Sequence, residues 1–203
     1  GYWKFDEGSG QVAFDSSGYQ NNGTLVNGPT WTTGKIGNAL SFDGVDDYVD
    51  CGNISSVKST QGSIEFWLKP VTFVNGRGVI HIYEKGDTDY LRSYINSDGI
   101  IDLYIEDENV QYVGVYAKSA LPLNEWSHIV WTQDGNGVKL YVNGVNRALG
   151  GTNSGLWWTD HLSKFTTIIG SSWNYFSGII DEVRIYNRAL SADEILQHYQ
   201  AGL

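Results

Sequence analysis

The sequence is short of cysteine, methionine, proline and positive charge, and each shortage closes a class of reading. Its 203 residues include a single cysteine, Cys51, so no intrachain disulfide framework can form. A chain of this length can bury a core without such staples. Cys51, with no nucleophile motif around it, reads as a small core residue. Lys and Arg total 13 against 23 acidic residues, a formal charge of −10. No basic track for phosphates exists, which argues against nucleic acid as a partner. No apolar run approaches the roughly 20 residues that span a bilayer, so no membrane insertion is expected, and no secretory leader is visible. Methionine is absent altogether, position 1 included. The chain is therefore expected to be a piece excised from a larger protein. The 3 prolines against 25 glycines suit many tight turns rather than a disordered chain.

Catalytic signatures are missing too. There is no Walker or dinucleotide motif. His81, His128, His161 and His198 show no short metal-ligand spacing, and His128 reads as a packed strand residue. Retaining glycoside hydrolysis needs two carboxyl groups about 5–5.5 Å apart. A strand carrying Glu-x-Asp-x-Glu would present them, and none is found. Asp102 and Glu106 share strand parity but are separated by Leu103, Tyr104 and Ile105. Glu106-Asp107-Glu108 reads as a solvated hairpin tip, and Asp181-Glu182 would point to opposite faces of a regular strand. No enzyme activity is expected.

What remains is a run of short strands and turns. Lys139 to Val142 alternates, meets Asn143-Gly144 and returns through Val145 to Arg147, the strongest short-range hairpin signal. Trp126 to Trp131 reads as a strand just upstream. Further strands are expected at Gly1–Phe5, Val12–Asp15, Ala39–Phe42, Tyr48–Cys51, Gly78–Tyr83, Tyr90–Ile95, Ile100–Ile105, Val110–Tyr116, Thr166–Ile169 and Ile179–Tyr186. Asn96-Ser97-Asp98-Gly99 forms a hairpin turn. In Ser63–Lys69, Ile64, Phe66 and Leu68 face one way, and Glu65, Trp67 and Lys69 the other. The stretch 16–28, rich in Asn, Gly and Ser, reads as loop, and 150–164 as an irregular insertion. One helix is expected, at the C-terminus. Ser191 would be its N-cap, Glu194 would complete a capping box, and Leu190 and Ile195 a hydrophobic staple. The pattern is all-β, an antiparallel β-sandwich with a short C-terminal helix, and residues 1–203 read as one domain. A domain of this size can stand alone as a monomer.

Four stretches, taken in order, carry a family resemblance. They are Trp3-Lys4-Phe5-Asp6-Glu7-Gly8-Ser9-Gly10 with Asp15-Ser16-Ser17-Gly18; Gly37 to Gly44 with Asp47-Tyr48-Val49; Trp126 to Val130 with Leu140 to Gly144; and Gly178 to Ser191. Together they resemble the laminin-G-like, concanavalin A-like lectin/glucanase jelly-roll domains found as modules in secreted microbial proteins. The resemblance implies a jelly roll and an extracellular or cell-surface setting. It also implies a structural calcium where the first and last strands meet, with Asp6, Asp43 and Asp181 as ligands and Glu7 or Glu182 as substitutes. Calcium wants several oxygen ligands, which acidic turns supply. The competing reading is that these residues only make turns and surface ion pairs. Asp46 and Asp47 belong either to the same negative patch or to solvent.

Sugars present flat apolar faces ringed by hydroxyls, which aromatic rings and polar side chains match. The 8 Trp and 13 Tyr prove nothing by number, but those outside strands are informative. Trp157 and Trp158 sit in the irregular insertion, and Trp173 and Tyr175 flank Asn174. These four are the candidate ligand-binding residues, the alternative for Trp157 and Trp158 being that they plug the open end of the sandwich. Tyr90, Arg92, Tyr94 and Tyr104 form a second candidate surface on an outer sheet face. Two functions follow. One is a non-catalytic module that binds a glycan or polysaccharide. The other is a structural or adhesion module contacting an extracellular protein.

Overall fold

The turn at Asn143-Gly144 forms as its residues dictate. Asn143 has φ 54° and Gly144 φ 74°, the paired positive values of a two-residue hairpin turn. It joins β13 (Val138–Val142) to β14 (Val145–Arg147), with Val142 opposite Val145. The second expected hairpin also forms: Asn96 O accepts from Gly99 N at 3.0 Å, and Gly99 has φ 78°.

The computed structural model describes residues 1–54, 60–74, 77–84, 89–107, 110–153 and 165–203. In chain order the other strands are β1 (Tyr2–Trp3), β2 (Val12–Ala13), β3 (Gly23–Val26), β4 (Thr30–Thr33), β5 (Asn38–Asp43) and β6 (Tyr48–Asn53). They continue as β7 (Gly62–Pro70), β8 (Arg77–Glu84), β9 (Tyr90–Ile95), β10 (Ile101–Asp107), β11 (Val110–Ala117) and β12 (Ser127–Gln133). After the hairpin come β15 (Leu149–Asn153), β16 (Phe165–Ile169), β17 (Ser177–Tyr186) and the helix α1 (Ala192–Ala201).

All recorded pairings are antiparallel and build two sheets, the jelly roll expected from the sequence. One is eight-stranded, in the order β14-β13-β12-β7-β17-β5-β4 with β1 beside β17. The other is nine-stranded, in the order β15-β11-β10-β9-β8-β16-β6-β3-β2. Their inner faces enclose one apolar core, where Trp3, Phe66, Trp131, Leu103, Phe176 and Ile180 are fully buried. Cys51 lies in this core as expected. Trp131 Nε1 donates to Ser93 Oγ at 3.0 Å, a bond that ties β12 of one sheet to β9 of the other.

Two strands, β3 and β4, fall where the sequence reads as loop or is silent, and β15 opens the expected irregular insertion. The larger departure is β7. Its alternation puts Glu65 and Trp67 on the outer face, yet they are 0% and 3% exposed. Helix α1 covers them. Its capping box forms, with Glu194 N donating to Ser191 Oγ and Ser191 N to Glu194 Oε2. Leu190 and Ile195 pack on Val130, and Tyr199 stacks on Trp67 with ring centroids 5.7 Å apart. Beneath the helix Glu65 accepts from His128 Nε2 at 2.8 Å, Arg184 at 3.1 Å, Tyr186 Oη at 3.2 Å and His198 Nδ1 at 3.0 Å. Burial alone would raise the Glu65 pKa, but these donors overcome it and hold the carboxyl down at about 2.

Candidate functional site

The outer face of the nine-stranded sheet carries an aromatic and polar surface that strand parity assembles. On β9, Leu91, Ser93 and Ile95 point into the core, so Tyr90, Arg92 and Tyr94 point out. Antiparallel register then sets one row across the sheet: Asp50, Ile168, His81, Arg92 and Tyr104 stand opposite one another in turn. A neighbouring row holds Tyr83, Tyr90 and Glu106. A third holds Gly78, Tyr94, Asp102 and Tyr116.

Arg92 is the centre of this face. Its Cζ lies 5.1 Å from the Tyr90 ring centroid, 5.3 Å from Tyr94, 5.1 Å from Tyr104 and 3.5 Å from Trp173. It is only 8% exposed. It makes no ion pair among the described residues, and its Nε is buried without a hydrogen-bond partner. Trp173, by contrast, is 68% exposed.

The loop that carries Trp173 is held firmly. Phe176 N donates to Gly170 O at 2.7 Å, and Gly78 N to Asn174 O at 3.1 Å. Position 78 must be glycine for this approach, since a Cβ there would lie 2.1 Å from Ser172 N. Arg77 Nη1 donates both to Gly44 O at 2.9 Å and to Tyr175 O at 3.0 Å. Phe176 is buried and meets Phe42 edge-on.

Two clefts flank this loop. A small one of about 140 Å³ is lined by Arg77, Arg92, Tyr94, Ser172, Trp173 and Asn174. A larger one of about 390 Å³ is lined chiefly by Tyr48, Asp50, His81, Tyr83, Ser172 and Tyr175. The His81 ring stacks on Tyr83 at 4.6 Å. Burial, assisted by the charge of Arg92, pushes its pKa down to about 4, so it is neutral at pH 7. Burial pushes the Asp102 carboxyl up to about 6 against the opposing pull of Tyr94 and Arg92. Glu106 accepts from Tyr90 Oη at 2.6 Å.

A third cleft, about 430 Å³, lies on the other sheet beside Tyr2, Arg184, Tyr186 and His198. The polar groups of Tyr2, Arg184, Tyr186 and His198 there are already committed. Arg184 and Tyr2 bond Glu182, while Arg184, Tyr186 and His198 all bond Glu65. A ligand there would have to compete with buried ion pairs, which the clefts around Arg92 do not require.

Of the four candidate ligand residues, Trp173 and Tyr175 take opposite sides of one loop, each lining a cleft. Trp157 and Trp158 lie outside the described residues, as does His161. The second candidate surface of Tyr90, Arg92, Tyr94 and Tyr104 joins Trp173 in a single cluster. Sequence reasoning missed Tyr48, Asp50, Arg77, His81 and Tyr83. Their signal was alternation on strands whose order no local pattern reveals.

The three candidate calcium ligands are not brought together. Asp6 Oδ1 accepts from Asn38 N at 3.0 Å. Asp181 is fully buried, and its Oδ2 accepts from Lys35 N at 2.8 Å and Ile36 N at 3.0 Å. Both therefore grip the turn between β4 and β5. Asp43 stands at the far end of β5, opposite Ser177, roughly 13 Å along the strand from the level of Asp181. There it meets Asp46 and Asp47, whose carboxylate oxygens lie within 4.8 Å of one another and of its own. Asp47 is 4% exposed, and burial together with its two acidic neighbours raises its pKa. Asp181 Oδ1 is buried without a partner, and burial is the main cause that pushes this carboxyl up to about 7.

The comparisons agree with this architecture. The family model for the concanavalin A-like lectin/glucanases superfamily matches residues 43–196. Domain 4 of AbnA, an extracellular arabinanase from Geobacillus stearothermophilus solved in complex with arabinotriose, is 22% identical. It superposes with a TM-score of 0.74 over 97% of this chain and 95% of that one. The binding domain of botulinum neurotoxin serotype D is 18% identical, with a TM-score of 0.76 over 98% of this chain and 51% of that one. Human adhesion G-protein coupled receptor D1 is 28% identical over a 120-residue alignment that covers 52% of this chain but only 12% of the receptor. The chain belongs to the concanavalin A-like lectin/glucanase superfamily, as a β-sandwich module with both carbohydrate-binding and receptor-binding domains among its structural relatives.

Proposed function

We propose that this protein is a non-catalytic glycan-binding module of a secreted or cell-surface protein, and that it binds sugar on the outer face of the nine-stranded sheet. One observation carries the reading. An exposed indole, Trp173, is fixed over a buried guanidinium between two polar, aromatic-lined clefts. A rigid aromatic plane offers a sugar ring its apolar face at little entropic cost, and Asp50, Tyr83, Ser172 and Asn174 supply directed polar groups around it. The similarity to an arabinanase domain solved with arabinotriose supports the choice of ligand class. Isothermal titration against a panel of plant and microbial oligosaccharides tests it. Saturable binding that is lost in Trp173→Ala supports the reading, and no binding to any member of the panel overturns it.

The reading includes a structural calcium at the turn Asp43–Asp47. The donor set fits the ion: three hard carboxylates lie within 4.8 Å of one another, one of them nearly buried. A divalent cation bound there would relieve the mutual repulsion that raises the pKa of Asp47.

A second reading, adhesion to a protein partner, rests on another patch. Val71, Val74 and Leu123 are each exposed, and the bond from Asn124 N to Pro70 O at 2.7 Å joins their two segments. Binding of a protein rather than a glycan, abolished by Val74→Asp and indifferent to Trp173→Ala, would select it.

A further inference from the structure

The two clefts beside Trp173 differ in charge. The small cleft contains two guanidiniums, Arg77 and Arg92, and among the described residues no acidic one lines it. The larger cleft contains Asp50 and, among the described residues, no Lys or Arg. Ser172 lines both, so the two clefts adjoin. Such a segregation of charge within a few residues is a specificity device, because each end rejects the group that suits the other.

Arg92 is the sharper half of the observation. A guanidinium is always charged, and when buried it is ordinarily paired with a carboxylate. Arg92 is 8% exposed, has no ion pair among the described residues and keeps an unpartnered Nε. Asp102 feels its charge but forms no ion pair with it. Aromatic faces surround it, and these stabilise a cation without neutralising it. Arg77 is held at the cleft by Gly44 O and Tyr175 O and forms no ion pair among the described residues.

We propose, resting on the glycan reading above, that the cleft of Arg77, Arg92 and Trp173 takes the carboxylate of an acidic sugar while the adjoining cleft of Asp50 and Tyr83 takes a neutral one. The planar fork of a guanidinium matches a carboxylate's two oxygens. The indole of Trp173 lies over the Arg92 guanidinium, and both line the small cleft. The protein's net charge of −10 opposes the approach of any anion, so preference for one has to come from these two contacts rather than from long-range attraction.

The test uses matched probes on the intact protein. Uronic-acid-substituted oligosaccharides, glucuronic-acid-substituted xylotetraose among them, are titrated beside their carboxyl-reduced counterparts, which differ only at the acid. An affinity about tenfold or more higher for the acid form supports the proposal, the size of one charge-assisted hydrogen bond. In Arg92→Lys that ratio is expected to fall towards one, because the ammonium keeps the charge but loses the fork. Equal affinity for the two forms overturns the proposal and leaves the glycan reading standing. Failure of every probe, acid or neutral, overturns both. Should Arg92→Lys fail to fold, the ratio measured on the native protein still decides.

Discussion

The indole of Trp173 lies over the guanidinium of Arg92, with Cζ 3.5 Å from the ring centroid, and the tryptophan is nonetheless 68% exposed. The pair is lopsided: arginine is the buried foundation and tryptophan the surface. Removing the tryptophan therefore removes binding area without hollowing the core. Trp173→Ala is expected to cost about 0.5–2 kcal/mol of stability, the range of one cation–π pair. Glycan affinity should fall at least about tenfold, as for a loss of an anchoring aromatic. Calorimetric titration and a melting curve on the same sample separate the two effects.

Glu65 makes the opposite prediction. It is fully buried with four donors around it, and no sugar can reach it. Glu65→Gln is expected to cost about 3–5 kcal/mol, since Arg184 loses a buried counter-charge and the other donors one of the oxygens they bond. Urea unfolding at pH 7 checks this. The carboxyl is held at about 2 in the folded protein, below its ordinary 4.5. The folded state therefore binds fewer protons than the unfolded one in this window. The stabilisation is complete above pH 4.5 and is lost as pH falls towards 2. The variant should lack that part of the acid limb.

Asp181 acts in the other direction. Its carboxyl is pushed up to about 7 from 3.8, so the folded state holds a proton that the unfolded state has released. Through this group, stability falls as pH rises from about 4 to about 7. Asp181→Asn keeps an oxygen for the Lys35 and Ile36 amides and should flatten that decline. Asp181→Ala leaves both amides orphaned and should cost about 1–3 kcal/mol. Unfolding curves at pH 4, 5.5 and 7.5 separate the three proteins.

The acidic turn yields a metal prediction. Chelation of divalent cations should lower the melting temperature of the native protein, and added calcium should restore it. At a calcium concentration about 100 times the dissociation constant, the linkage is worth about 2.7 kcal/mol. Asp43→Asn and Asp47→Asn should melt at one temperature with or without calcium. A native protein that is indifferent to the chelator would refute the site.

What could be read from the sequence was local. The Asn143-Gly144 hairpin and the Ser191–Glu194 capping box each depend on residues within a few positions, and both form as read. Strands β3 and β4 did not announce themselves, because each is only four residues long and is set among turn-forming Asn and Gly residues. The alternation in β7 is real, but its outer face is covered by a helix more than a hundred residues later, so Glu65 could not be recognised as buried. The candidate site was half legible for the same reason. Parity placed Tyr90, Arg92 and Tyr94 together, whereas bringing His81 and Asp50 into the same row needs the strand order of a whole sheet. The spread of Asp6, Asp43 and Asp181 over two turns is a distance along a strand, which composition cannot measure.

Both chain ends lie on the eight-stranded sheet: β1 pairs with β17, and α1 packs over β7 and β12. The face that bears Trp173 and Arg92 belongs to the other sheet. The fold thus resembles a plug with its wiring behind it, both ends set on the sheet opposite the proposed ligand surface.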